Sequence, residues 1–360
     1  MDKKLKIGII GCGGIANGKH MPSLKMISDV EMVAFCDIIE DKAKDAARNY
    51  GTPDAKVYTD YNKLLEDNSI DIIHVCTPNK SHAPITIAAL EAGKHVMCEK
   101  PMAKTAADAK AMLDAAKRTG KKLTIGYQNR QRKEVLYLKK LCEEGALGDI
   151  YFGRAQALRR RAVPTWGVFM NEDEQGGGPL IDIGTHSLDM TLWLMDNYEV
   201  ESVTGKAHYK LGKRANSANA WGPWNPDEYT VEDSAFGFIR MKNGATIILE
   251  SSWAINLLDI REACCELAGT EAGADFREGL RINGEKYSRM YVDHPDFSTG
   301  AVDYFEGVDD NNFSLVEAKQ WIEAVKNDTE PCVKPEQALV VSQILEAIYE
   351  SSKTGKTIYF

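Results

Sequence analysis

Short apolar runs alternate with longer amphipathic stretches through the first third of the chain. Lys4 to Ile10 is rich in isoleucine and ends at a glycine cluster, and Glu31 to Cys36, Asp71 to Cys76, Lys94 to Cys98 and Lys122 to Gly126 repeat the pattern. Runs of this length, bounded by turn formers, predict buried strands. The intervening spacing predicts helices from the glycine cluster to Met26, from Ser81 to Ala92 with Gly93 at the stop, and from Thr105 to Thr119. The last has Thr105 and Asp108 in a near capping-box arrangement and Gly120 at its end. Strands alternating with helices imply βαβ units and a parallel sheet.

Beyond about residue 127 the pattern changes. Lys133 to Glu144 reads as an amphipathic helix, and strands then dominate, over about 149–160, 199–211, 232–241, 245–254, 260–268 and 286–292. Asn243-Gly244 between two of them predicts a type I′ hairpin turn. Two helices, over 314–327 and 335–352, close the chain. Strands joined by turns favour an antiparallel sheet. The expected organisation is a dinucleotide-type domain over 1–127 and a second domain over 128–360 whose final helices can pack back on the first, with substrate between the two.

Composition adds constraints. The chain has 360 residues, 44% hydrophobic and 27% charged, which is ordinary for a folded globular protein. A net charge of −9 disfavours non-specific binding to nucleic acid or anionic membrane. The eight cysteines form no CxxC pair, so no zinc knuckle or thioredoxin-like motif is expected. Cys36, Cys76 and Cys98 end apolar runs and read as small buried hydrophobes. No stretch approaches the ~20 apolar residues of a membrane span, and the amino terminus reads directly into a strand, so a cytoplasmic, thiol-reduced protein is expected. No metal is called for.

The glycine cluster, Gly11-Cys12-Gly13-Gly14-Ile15-Ala16, is G-x-G-x-x-A between a strand and a helix. In that context the first glycine permits a tight turn, the second admits a pyrophosphate, and the small last residue lets helix pack on strand. Helix N–H groups then meet the phosphates. Asp37 ends the second strand 26 residues after Gly11. It is either a solvated strand-end acid or the carboxylate that accepts hydrogen bonds from an adenosine ribose; the latter would repel a 2′-phosphate and select NAD over NADP. Thr77-Pro78-Asn79, Glu99-Lys100-Pro101 and Gln128 follow later strands, at the carboxyl edge where such sheets bind ligands.

Gly176-Gly177-Gly178-Pro179 leads into Leu180-Ile181-Asp182-Ile183-Gly184-Thr185-His186, after which Leu188, Leu192 and Met195 recur at helical spacing. Three glycines mark a loop or a close backbone approach. Asp182 and His186, four apart, share a helix face. They are either a cap and an interior histidine, or a general base with its orienting carboxylate.

The motifs GCGGIA with Asp37, CTPNKSH (Cys76 to His82), Glu99-Lys100-Pro101 and GGGPLIDIGTHSLD (Gly176 to Asp189), in this order, resemble the Gfo/Idh/MocA oxidoreductases. The resemblance implies a doubly wound Rossmann domain followed by an α+β domain with a large, open-faced, mostly antiparallel sheet that pairs with another subunit. It implies NAD as cofactor, held near Gly11, Gly13, Gly14, Ile15, Ala16, Asp37, Thr77, Pro78, Asn79, His82, Glu99, Lys100 and Gln128. It assigns catalysis to Lys100, Asp182 and His186, with His186 as base and Lys100 stabilising alkoxide. The implied reaction is hydride transfer from a secondary alcohol of a sugar, glycoside or cyclitol. Arg130 matches a substrate-side position or makes a surface salt bridge, and Arg159 and Trp166 suit a sugar ring. Trp221 and Trp224 stack on an aglycone or fill local packing or a subunit interface. Two other readings within the family are a glycoside-cleaving enzyme that retains NAD and a non-catalytic NAD-sensing regulator.

Overall fold

The computed structural model describes residues 4–297 and 312–360. The chain divides into two compact units, Met1–Gln128 with Val308–Leu339, and Asn129–Gly307 with Val340–Phe360. A carboxy-terminal helix, Phe313–Lys326, groups with the first unit.

The first unit is a six-stranded sheet of β1 (Leu5–Ile10), β2 (Val30–Cys36), β3 (Lys56–Tyr58), β4 (Ile72–Val75), β5 (His95–Cys98) and β6 (Leu123–Ile125), in the order β3-β2-β1-β4-β5-β6. All pairings are parallel. This is the doubly wound dinucleotide topology, whose ligand crevice lies beyond the strands' carboxyl ends where the order reverses. Ile7, Ile9, Met32, Phe35 and Ile72 pack with Ala318, Trp321 and Ile322 of the late helix. The predicted strands and the helices α4 (His82–Glu91) and α5 (Ala106–Thr119) are present. Thr105 caps α5 by accepting from the Asp108 N–H, and Gly120 ends it in the left-handed region.

Three elements here have no counterpart in the sequence reading: α2 (Glu40–Tyr50), β3 and α3 (Tyr61–Leu65). Helix α2 buries only Ala43 and Ala46, and β3 buries no residue, so neither carries an apolar run.

The second unit is a nine-stranded sheet built from β7 (Ile150–Leu158), β8 (Val200–His208), β9 (Ser234–Met241), β10 (Thr246–Ser252), β11 (Cys264–Gly269), β12 (Ala272–Asp275), β13 (Arg281–Lys286), β14 (Arg289–Asp293) and β15 (Ile358–Tyr359). Its order is β14-β13-β12-β11-β7-β10-β9-β8-β15. Every pairing is antiparallel except β7 with β10. Strict alternation sets its two faces. Ile247, Leu249 and Ser251 are buried, while Thr246, Ile248 and Glu250 point the other way. Helix α8 (Thr185–Met195) packs on the buried side against β7 and β11.

Two turn expectations are corrected. At Asn243-Gly244 only Gly244 has positive φ (91°), and the Gly244 N–H bonds Met241 O at 2.9 Å while Met241 N–H bonds Ala245 O. That is a three-residue connection with a bulge glycine, not a type I′ turn, which needs both central residues at positive φ. Such a pair occurs instead at Tyr287 and Ser288 (φ 53° and 59°), between Lys286 and Arg289. It splits the predicted 286–292 strand into β13 and β14.

Candidate functional site

In the first unit the glycine cluster forms the expected turn. Gly11 has φ +91°, and a Cβ there would lie 2.6 Å from Cys76 O, so only glycine fits. Around Gly13 and Gly14 there is open space. A π-helical turn, Ala16–His20, continues into α1 (Met21–Lys25). Asp37 fastens the loop: its Oδ2 accepts from Cys12 N–H at 2.8 Å and its Oδ1 from Ile39 N–H at 2.9 Å. Each oxygen keeps a further lone pair for a ribose hydroxyl. Ile38, 90% exposed, follows directly and offers an apolar face. Thr77, Pro78 and Asn79 leave β4 beside Gly11, and the buried Thr77 hydroxyl has no hydrogen-bond partner among the described residues. An orphaned hydroxyl next to an open glycine cradle fits a phosphate-bearing cofactor.

Lys100 stands on a buried polar network that the sequence reading missed. Glu99 Oε2 accepts from the Lys100 backbone N–H at 3.1 Å. Its Oε1 accepts from Lys19 Nζ at 2.7 Å and meets His20 Nε2 at 2.8 Å. Lys19 also contacts Glu317 at 2.8 Å and Gln128 Oε1 at 3.3 Å. Burial works against an ionised Glu99, but the Lys19 charge and the bonds from His20 and Lys19 outweigh it and hold the carboxyl well below its usual range. Glu99 therefore accepts from His20 Nε2–H. The Nδ1 atoms of His20 and His74 lie 2.9 Å apart, so one ring donates to the other, and the buried His74 Nε2 has no partner among the described residues. Burial holds the His74 pKa well below its ordinary value. The network joins the turn after the glycine loop to the residue that carries Lys100.

Two cofactor expectations change meaning. Glu99 is 4% exposed and supports Lys100 from beneath. His82 is fully buried, with Nδ1 2.8 Å from Pro101 O and Nε2 2.9 Å from Thr77 O. It ties the Thr77 loop to the turn after Lys100. Burial lowers its pKa, against the two carbonyls that favour a protonated ring.

In the second unit the triple glycine works by close approach. A Cβ on Gly177 would sit 2.0 Å from Tyr349 Oη, and one on Gly178 2.4 Å from Glu232 O. Glu232, 1% exposed, then accepts from the N–H groups of Gly178 (2.8 Å) and Leu180 (3.0 Å) and from Tyr349 Oη–H (2.9 Å). This internal carboxylate caps the π-helical turn Leu180–Gly184, which carries Asp182 and runs into α8, which carries His186. Burial pushes Glu232 up to about 7, against the pull of its donors. Asp182 Oδ2 accepts from the indole N–H of buried Trp253 at 3.1 Å. The Glu232-Asp233 pair ahead of an apolar strand was the available sequence signal, since two acids entering a core need partners.

Arg130 is an interior residue, not a surface one. It is 0% exposed, donates to both carboxylate oxygens of Asp189 (2.9 and 2.6 Å), and lies over Trp193 at 5.3 Å. Burial raises the Asp189 pKa even beside this guanidinium. Arg130 thus holds α8 rather than presenting a charge to solvent. Arg159 is paired with both carboxylate oxygens of Glu262 and lies over Trp221 at 5.0 Å. Trp166, 52% exposed, packs edge-on against Trp221 at 5.0 Å. Trp224 turns inward, donating to Gly212 O at 2.7 Å and tilting on Tyr229, which is local packing.

Comparisons with known proteins agree with this architecture. The D-glucoside 3-dehydrogenase of Escherichia coli is 35% identical over 357 residues, covering 98% of this chain and 97% of the relative. An inositol 2-dehydrogenase of Salmonella paratyphi B is 31% identical over 193 residues, 53% of this chain and 55% of the relative. Aldose-aldose oxidoreductase of Caulobacter crescentus superposes with a TM-score of 0.80 at 25% identity, over 99% of this chain and 100% of that one. Residues 5–127 match the profile described as an oxidoreductase family NAD-binding Rossmann fold, and residues 135–275 match the GFO/IDH/MocA C-terminal domain. On its sequence and its fold, the chain belongs to the GFO/IDH/MocA oxidoreductase family, with NAD as its cofactor.

Proposed function

We propose that this protein is an NAD-dependent dehydrogenase that oxidises a secondary hydroxyl of a D-glucoside, at the 3-position. The observation that carries this reading is the 35% identity with a D-glucoside 3-dehydrogenase along nearly the full length of both chains. Lys100, Asp182 and His186 supply suitable chemistry. In this reading the His186 imidazole takes the hydroxyl proton, and Asp182, fixed by the Trp253 N–H, orients it. The Lys100 ammonium donates to the reacting oxygen and stabilises alkoxide charge; its backbone is set by Glu99. Bound NAD supplies the hydride acceptor. Gly11, Gly13, Gly14, Asp37 and Thr77 would hold it, with Ile15, Ala16, Pro78, Asn79 and Gln128 lining the same strand ends.

We also assign the outward face of the second sheet to contact with another copy of the chain. It carries Phe152, Phe236, Phe238 and Ile248, with Ile248 directly opposite Phe238.

The test is a panel of methyl glucosides, free hexoses and inositols with NAD, following reduced nicotinamide and locating the new carbonyl by NMR. Oxidation of methyl glucoside at C3 is expected. Lys100→Ala should cut turnover about 10²–10⁴-fold while NAD still binds. Turnover of inositol alone would overturn the glucoside assignment. Glycoside loss without accumulation of reduced cofactor would favour the bond-cleaving alternative.

A further inference from the structure

Six tryptophans occur in the chain, and the second unit treats those near Asp182 in two different ways. Trp253 is 0% exposed and Trp224 is turned inward, whereas Trp166 and Trp221 are 52% and 42% exposed and pack against each other. The exposed pair is held in place. The Asn219 side chain bonds Val163 N–H (2.8 Å), Val163 O (3.0 Å) and Gly222 O (2.8 Å), and Thr165 Oγ1 donates to Trp221 O at 2.8 Å. The loop's entry is pinned as well, because Asp233 Oδ2 accepts from the N–H groups of Lys210, Leu211 and Gly212. Ordering two large aromatic rings while leaving them wet forgoes burial that each could have gained.

The pair is also continuous with the candidate catalytic carboxylate. Trp166 meets Phe169 edge-on at 6.0 Å, Phe169 meets Trp253 at 6.4 Å, and Trp253 donates to Asp182 at 3.1 Å. Arg159, anchored by Glu262 and Ala162 O, lies over Trp221 and holds that ring in place. Fixed, exposed aromatic surface matches a sugar or aryl ring, which has flat C–H or π faces.

We propose that Trp166 and Trp221 form a subsite for the non-reacting ring of the substrate, the aglycone or second sugar of a glycoside, and so set specificity for what is attached to the oxidised glucosyl unit. The proposal rests on the glucoside reading above and adds the residues that select the aglycone.

The experiment compares phenyl glucoside with methyl glucoside, which share the reacting ring, on the NAD-loaded full chain. Both kcat/KM and calorimetric affinity are measured for the wild type, Trp166→Ala, Trp221→Ala and Trp166→Phe. The wild type should prefer the phenyl compound. Each alanine variant should lose about tenfold in kcat/KM on the phenyl compound relative to the methyl one, and Trp166→Phe should keep most of the preference. Equal losses on both compounds, or no loss on the phenyl one, overturn the subsite. So does a change in the sedimenting mass of the alanine variants together with an unchanged aglycone preference, which identifies a subunit contact. If neither compound is turned over, the glucoside reading fails, but a phenyl preference in binding that vanishes in Trp166→Ala still supports the subsite. Binding of neither compound overturns both.

Discussion

Arg130 and Asp189 illustrate how burial decides what a charged residue can do. Their side chains are 0% and 2% exposed and meet through two N–H···O bonds inside a helical layer. A pair so far from water contributes little net stability against an apolar replacement, yet breaking it is costly because one charge stays behind in low dielectric. Asp189→Ala should therefore lower the free energy of unfolding by roughly 3–5 kcal/mol, whereas Arg130→Met with Asp189→Leu should recover most of that loss. Chemical denaturation of the three proteins measures both numbers, and a single-variant loss below about 1 kcal/mol would show that the pair is solvated. Lys19, held between Glu99 and Glu317, has its pKa raised by those carboxylates despite burial, so it is a fixed structural cation.

The elements were legible in proportion to how much apolar surface each buries. Strands β1, β2, β4 and β5 are mostly apolar, as strands of a parallel sheet covered on both faces are, and the sequence marks them clearly. Strands β12 and β13 are short and made largely of small or charged residues, so no alternation announces them. Gly11 was readable because a tight turn after a strand demands that residue. The hairpin at Tyr287-Ser288 was not, because its turn residues carry no chemical signature of positive φ. Spacing put Asp182 and His186 on one helix face, but Glu232, some fifty residues away in sequence, is joined to their element only by folding. That carboxyl gives the element a pH dependence. Its pKa in the folded protein, about 7, lies above the usual 4.5, so the native state holds the proton more tightly than the unfolded chain does. The associated stability is fully present below pH about 4.5 and is lost as pH rises through about 7. Glu232→Gln cannot ionise; it keeps one acceptor oxygen for Gly178 or Leu180 and sets its NH2 against the other N–H, a pH-independent cost. The wild type should therefore fall in Tm relative to this variant between pH 5 and 8, and parallel Tm curves would refute the linkage. Glu232→Ala strands both N–H donors and should lower kcat while NAD still binds, since the residues proposed to hold the cofactor belong to the first unit.

At the scale of the whole molecule, the outward face of the nine-stranded sheet poses a solubility problem. Its centre places Phe152, Ile248, Phe238 and Phe236 on three adjacent strands, with Phe238 45% exposed. Among these rings lies an internally satisfied ion pair, Arg154 with Glu250 at 2.7 Å, and toward the β14 edge a second, Arg281 with Asp275 at 2.9 Å. Aromatic side chains interleaved with charges that already have partners suit a contact between protein surfaces. A flat sheet face meeting a copy of itself across a two-fold axis gains the same contacts twice, so a self-complementary apolar stripe suffices for assembly. A carboxylate at the centre would then face its own symmetry mate in a desolvated layer. Phe238→Glu should accordingly convert an oligomer to a lower-mass species in sedimentation at micromolar concentration. Phe238→Leu, which keeps the apolar surface, should leave the mass unchanged. Both variants should keep the far-UV circular dichroism of the parent, since the residue points away from the core on a strand whose alternate positions stay buried. A wild-type protein already monomeric under those conditions would assign the aromatic stripe to some other contact. A Phe238→Glu protein of unchanged mass would place the oligomer's interface elsewhere on the surface.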